Sequence, residues 1–164
     1  MINKIASLLL ALWLGAALLF SAVVAPTSFR VLRNFNLPNA GEIAGTIVSR
    51  TLSVVNVGGF VVSVLVFVAV LAFGRKYSRG RLVAQLALLT TIAVATAAGE
   101  WLIAARMRAL RAAMIVPIDQ VPLTDANRVA FATLHGYSVA ALGVAIMAGL
   151  LTFFLLGSRG RTTA

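Results

Sequence analysis

Residues 51–73 read TLSVVNVGGFVVSVLVFVAVLAF, 23 consecutive positions without a charge. A helix of that length crosses a hydrocarbon core of roughly 30 Å. Three more uncharged or nearly uncharged stretches lie around it, at residues 5–25, 82–103 and 129–156. Four such stretches joined by arginine-rich connections predict an all-α, integral membrane four-helix bundle with antiparallel up-down topology. The 164 residues are 61% hydrophobic with a mean hydropathy of +1.02, and the four spans consume nearly all of them, so residues 1–164 read as a single membrane domain.

The net charge is +10, but the basic residues sit at span ends rather than in a stripe interleaved with aromatics. That placement points to the lipid bilayer as partner and away from nucleic acid. There is no cysteine, which excludes disulfides and thiolate-ligated metals. The first span reads better as a retained helix than as a cleaved leader, because its apolar run is long and Pro26 would follow the cut.

Four spans put the N-terminus, the middle loop and the C-terminus on one face, and the first and third loops on the other. Lys4, Arg75, Lys76, Arg79, Arg81, Arg159 and Arg161 mark the first face; Arg30, Arg33, Arg50, Arg106, Arg108, Arg111 and Arg128 mark the second. The numbers tie, and the density of basic residues from Arg75 to Arg81 tips both termini toward the cytoplasm of a bacterial inner membrane. Gly74 and Gly80 bracket the middle loop as a tight hairpin. Asn39 followed by Glu42 resembles a capping box, so the second helix is predicted to start near Ala40 and to project beyond the hydrocarbon. Pro117 and Pro122 break the extension of the third helix, and Asp125 offers an N-cap to the fourth. The loop-one/loop-three face is therefore the elaborated one. Ala11 with Gly15, Gly136 with Ala140, and the run Ala93 to Gly99 have the small-residue spacing that permits close helix approach, within the bundle or in a homo-oligomer. No internal repeat between the two pairs of spans is evident in the residues.

Ionisable residues inside a span are costly and mark candidate sites. Glu100 and His135 are such residues here, at similar depth below the elaborated face, and Asn56 falls at that depth too. Helical periodicity groups Ser49, Ser53, Asn56 and Ser63 on the second span, Gln85, Thr96 and Glu100 on the third, and Arg128, His135 and Ser138 on the fourth. Three polar stripes are expected to converge on the interior, since lipid disfavours them. The convergence is open to three readings. In the first, structural polar packing pairs Glu100 with Arg30, Arg50 or Arg128. The second is a proton- or cation-responsive site, and the third a metal site on His135 and Glu100 completed by water or a symmetry mate. A single histidine excludes a haem held by two histidines of one chain, and no cofactor is expected. No nucleophile triad or phosphate loop is present, so the expected role is non-enzymatic, with a polar pocket for an ion, small ligand or partner. The alternative is a transporter or channel component acting as an oligomer.

Trp13-x-Gly15, Val24-Ala25-Pro26 leading to Phe29-Arg30, the pair Ala40-Gly41, and Phe131 to Leu134-His135 together resemble the transmembrane protein 205-like family, whose bacterial members are described as domain of unknown function 4149. The resemblance runs from about Leu8 to Leu155. It implies a four-helix membrane protein and adds Pro26, Phe29, Arg30 and His135 to the candidate site on the elaborated face.

Overall fold

The computed structural model describes residues 2–73 and 78–157, and is helical almost throughout. Four of its helical stretches are long and apolar enough to cross a membrane. The first begins as α1 (Ile2–Leu19), passes through a π-helical segment at Phe20–Val24 and continues as α2 (Ala25–Asn34). The second is one helix, α3 (Ala40–Phe73). The third repeats the pattern of the first: α4 (Arg79–Ala97), a π segment at Ala98–Ala104, then α5 (Ala105–Ala112). The fourth is again a single helix, α6 (Ala126–Gly157).

Outward faces are apolar and bare: Leu12, Val54 and Phe154 are 63%, 73% and 67% exposed. Gln85, Ser63, Thr96 and Thr152 are fully buried instead. A surface of exposed leucine and valine around a partly polar interior is the distribution lipid demands, because lipid tails accept apolar side chains and reject unpaired polar ones.

The helices form a ring in which α1 and α4 each pack against both α3 and α6. Trp13 fills its middle: the indole Nε1 donates to the Val55 carbonyl at 2.9 Å. Glycines make room for the ring on two sides. An added Cβ at Gly59 would stand 2.6 Å from Trp13 Nε1, and one at Gly149 would stand 2.9 Å from Trp13 Cζ3. The close approaches to the ring are thus at Gly59 and Gly149; of the glycines expected from their spacing to serve that purpose, Gly99 does so against Asn56, whereas Gly15 and Gly136 face open space.

Two sequence-based boundaries shift. Gly80 lies in the first turn of α4 rather than in the middle loop, of which Gly74 to Tyr77 fall outside the described residues. The first helix does not stop near Ala25 but runs to Asn34. Proline tolerates only the first turn of a regular helix, lacking an N–H and crowding the carbonyl four residues back. Here the Ala25 N–H reaches back five residues to the Phe20 carbonyl, and this π turn re-registers the chain so that Pro26 enters at the start of α2.

The doubled pattern exposes an internal repeat that is faint in the residues. Arg30-Val31-Leu32-Arg33 on α2 and Arg108-Ala109-Leu110-Arg111 on α5 share R-x-L-R at a separation of 78 positions, each following a π segment. Leu37-Pro38-Asn39-Ala40 and Leu123-Thr124-Asp125-Ala126 share L-x-(N/D)-A at 86, each opening a long helix. Five of the eight buried positions of α3 follow that second offset: Asn56, Gly59, Ser63, Val66 and Val70 correspond to the buried Leu142, Ala145, Gly149, Thr152 and Leu156, whereas Ala44, Val48 and Val55 correspond to half-buried residues. Both units run in the same direction through the bundle. The change from 78 to 86 is eight extra residues in the third loop.

Candidate functional site

Asn56 and Glu100 are both buried, at 3% and 8% exposure, where α3 packs against the second π segment. The Asn56 amide lies over Gly99, whose missing side chain admits it; a Cβ there would be 3.1 Å from Asn56 Nδ2. Of the three expected arginine partners of Glu100, none pairs with it. Arg108 does, at 3.6 Å, because the helix continues past the membrane edge and brings back a residue two turns on. Arg108 is largely exposed, so this pair contributes little to stability.

His135 is not part of that cluster. It is exposed on the outward side of α6, and no ion pair joins it to Glu100 among the described residues. The inward face of α6 runs back from Leu142 through Ser138, and the next turn is continued by half-buried Leu134, four residues earlier, rather than by His135 at three. The third polar stripe therefore supplies only Ser138 to the interior. Nor is there any group of three or more His, Asp or Glu side chains positioned to hold a metal among the described residues. Pro26 and Arg30 are exposed on the first helix, and Ser49 and Arg50 are exposed on α3.

The third-span stripe does turn inward as expected: Gln85, Thr96 and Glu100 are all buried. Hydroxyls on the inner faces satisfy themselves. Thr96 donates to the Ile92 carbonyl at 2.7 Å, Thr152 to Ala148 at 2.8 Å and Ser63 to Phe60 at 2.8 Å. The buried Gln85 amide has no partner for Nε2 or Oε1 among the described residues. Such a group costs about 1–3 kcal/mol.

Above this interior, on the elaborated face, the two long loops are bolted together by residues the sequence reading did not single out as a site. Glu42, in the first turn of α3, takes the Arg111 Nε at 2.7 and 2.8 Å on its two carboxylate oxygens and the Ile118 N–H at 3.1 Å. Arg111 also donates to the Met114 carbonyl, holding the end of α5. In return Asp119 accepts the Glu42 N–H at 3.0 Å. The Asp119 carboxylate thus caps α3 from another loop, a task the Asn39–Glu42 spacing had assigned to Asn39. Gly41 is required beneath it, since a Cβ there would be 3.0 Å from Asp119 Cγ. Asp125 caps α6 as expected, accepting from Asn127 and Arg128 at 2.9 and 3.1 Å.

Burial pushes the Glu42 pKa up, but the Arg111 hydrogen bond, the Ile118 N–H and the Arg111 charge outweigh it and hold the carboxyl below its ordinary value. A lowered folded-state pKa favours the ionised, folded form. The clamp's contribution is complete above the pKa of the unfolded chain and disappears as pH falls through the folded one. Thermal unfolding followed from pH 7 down to 3 should show an acid-induced loss that Glu42→Gln removes. Superimposable acid profiles for the two proteins would contradict this assignment.

Beside the clamp opens a cleft of about 440 Å³, lined by Phe29, Arg33, Asn36, Leu37, Pro38, Ala40, Gly41 and Asp119. Its size is in the range that holds small ligands. Its outer wall is the turn after α2, where Asn36 takes a left-handed φ of 50°, a conformation asparagine tolerates better than most residues. Phe29 is the one residue of the expected site that lines it.

Residues 8–115 match the family described as Domain of unknown function (DUF4149). The chain belongs to this family. No curated protein and no solved structure matches it. The matched DUF4149 region takes in Trp13, Phe29, Arg33, Glu42, Asn56, Glu100 and Arg111; Asp119 and His135 lie beyond it. One half of the clamp is therefore within the DUF4149 region and its cap is outside. The signal that could have drawn attention to the clamp was Glu42, an acid at the head of a helix otherwise bare of charge until Arg50.

Proposed function

We propose that this DUF4149 protein is a non-enzymatic, multi-pass membrane protein that binds a small polar ligand in the cleft at its loop-one/loop-three edge. The observation that carries the reading is the preformed cleft, whose α3 wall is pinned by Glu42 to Arg111 and Ile118 and by Asp119 to the helix end. A cleft pinned on one wall loses less ordering entropy on binding. Its ionisable groups suit holding better than reacting. Asp119 is committed to the α3 amide, and arginine does not exchange protons near neutral pH. The same reading sets the chain in a bacterial inner membrane with both termini in the cytoplasm, on the density of basic residues around the middle loop. It also keeps the wider kinship with transmembrane protein 205-like proteins.

Ala40 lines the cleft at the first turn of α3, so Ala40→Phe fills it while leaving Glu42, Arg111 and Asp119 themselves unsubstituted. In a thermal-shift screen of anionic and zwitterionic small molecules against the detergent-purified chain, compounds that raise the melting temperature of the wild type are expected to lose that effect in Ala40→Phe. A set of stabilising compounds indifferent to the substitution would rule out the cleft as the binding site.

A further inference from the structure

The repeated R-x-L-R motif has two different electrostatic fates. On α5, both arginines meet carboxylates: Arg108 pairs with Glu100 at 3.6 Å and Arg111 with Glu42 at 2.7 Å. On α2, Arg30 and Arg33 are exposed and neither has an ion-pair partner among the described residues. The repeat explains the difference. Counting back by the offset of the R-x-L-R pair, Glu100 corresponds to Ala22; counting forward by the offset of the long helices, Glu42 corresponds to Arg128. Both acids that neutralise the second motif are replaced at the matching positions of the first, one by a small apolar residue and one by a third cation.

Arg30 and Arg33 are three residues apart and share one face of α2; Arg33 lines the cleft, and Arg30 stands one turn before it, outside the lining. The carboxylate in that cleft, Asp119, is turned to the amide of Glu42. Two guanidinium groups without an acid match the oxygens of a phosphate by paired, charge-assisted hydrogen bonds. Their height suits such a ligand. Arg30 follows the apolar stretch that ends at Ala25 by five residues, about 7.5 Å at the helical rise, which is where the headgroup layer begins.

We propose that Arg30 and Arg33 bind a phosphate group, supplied from outside in the place that Glu100 and Glu42 fill for the second unit. The inference rests on the cleft reading above and names the chemistry of its ligand. A lipid headgroup and a free anion both present such a phosphate, and the test separates the two.

The detergent-purified full chain is titrated with dihexanoyl phosphatidic acid, dihexanoyl phosphatidylcholine and inorganic phosphate while its melting temperature is followed. Saturable stabilisation is expected from at least one phosphate source. Its half-saturating concentration should rise about tenfold or more in Arg33→Gln and in Arg30→Gln, and stay unchanged in Arg108→Gln, whose arginine is already paired. Saturation by phosphatidic acid alone identifies a lipid headgroup; saturation by inorganic phosphate at similar concentration identifies a free anion. No saturable shift, or equal losses in Arg33→Gln and Arg108→Gln, would overturn the proposal, because unspecific attraction to a basic surface responds alike to either loss. If Ala40→Phe abolishes the binding of other compounds while Arg33→Gln leaves phosphate titrations unchanged, the phosphate assignment falls and the cleft stands.

Discussion

Trp13→Ala should lower the unfolding free energy by about 3–5 kcal/mol, the cost of emptying a large aromatic from a packed interior. Trp13 is 5% exposed and stands at the centre of the ring of helices, with contacts to α3 through Gly59 and to α6 through Gly149. Its indole N–H is also the described side-chain hydrogen bond that ties α1 to α3. Between membrane helices there is little hydrophobic drive, since lipid is as apolar as a leucine side chain, and shape-matched packing carries the association. Removing the wedge therefore leaves a void that the neighbouring glycines cannot fill. Denaturant titration in mixed micelles measures the effect, and a loss below about 1 kcal/mol would show that the ring closes without Trp13.

Gly59→Ala tests the same junction from the other side. A Cβ at this position would lie 2.6 and 2.7 Å from the indole Nε1 and Cε2 and 2.8 Å from Thr96 Cγ2. Neither neighbour can retreat easily: Trp13 is held by the Val55 carbonyl, and Thr96 by its own turn. Overpacking of this kind costs about 1–3 kcal/mol. Gly15→Ala is the control, because Gly15 faces open space and its substitution should change stability by less than about 0.5 kcal/mol. In the Trp13→Ala background the Gly59→Ala penalty should fall to the part owed to Thr96, an interaction a double-mutant cycle resolves. Additive losses would mean that the two residues do not share one cavity.

The candidate site was partly legible. That Glu100 and Asn56 turn inward could be expected because both follow from periodicity and depth, and helices obey those rules closely. His135 could not be settled the same way. Positions three and four residues before Ser138 are nearly equivalent on a helical wheel, and only the packing of α6 decides that Leu134 turns inward and His135 outward. The clamp was less visible still. Glu42 and Arg111 are 69 positions apart, and Asp119 reaches Glu42 from an irregular segment whose path no local periodicity dictates. The repeat was hidden for another reason: lipid and packing constrain side-chain size and polarity far more than identity. The shared features are consequently burial phase and helix breaks, with only R-x-L-R and L-x-(N/D)-A left in the letters.

From its residues alone this protein is committed to four helices long and apolar enough to cross a membrane, to helix starts at Ala40 and Ala126, and to arginine-edged faces. Uncharged length, the Asp125 cap and the cost of charge in lipid act locally, so they can be read locally. Tertiary structure alone decided where the glycines admit Trp13, which arginines find acids and which do not, and that the cap of α3 comes from Asp119. Each of those depends on distances between segments far apart in the chain, and such distances exist only once the helices have closed their ring.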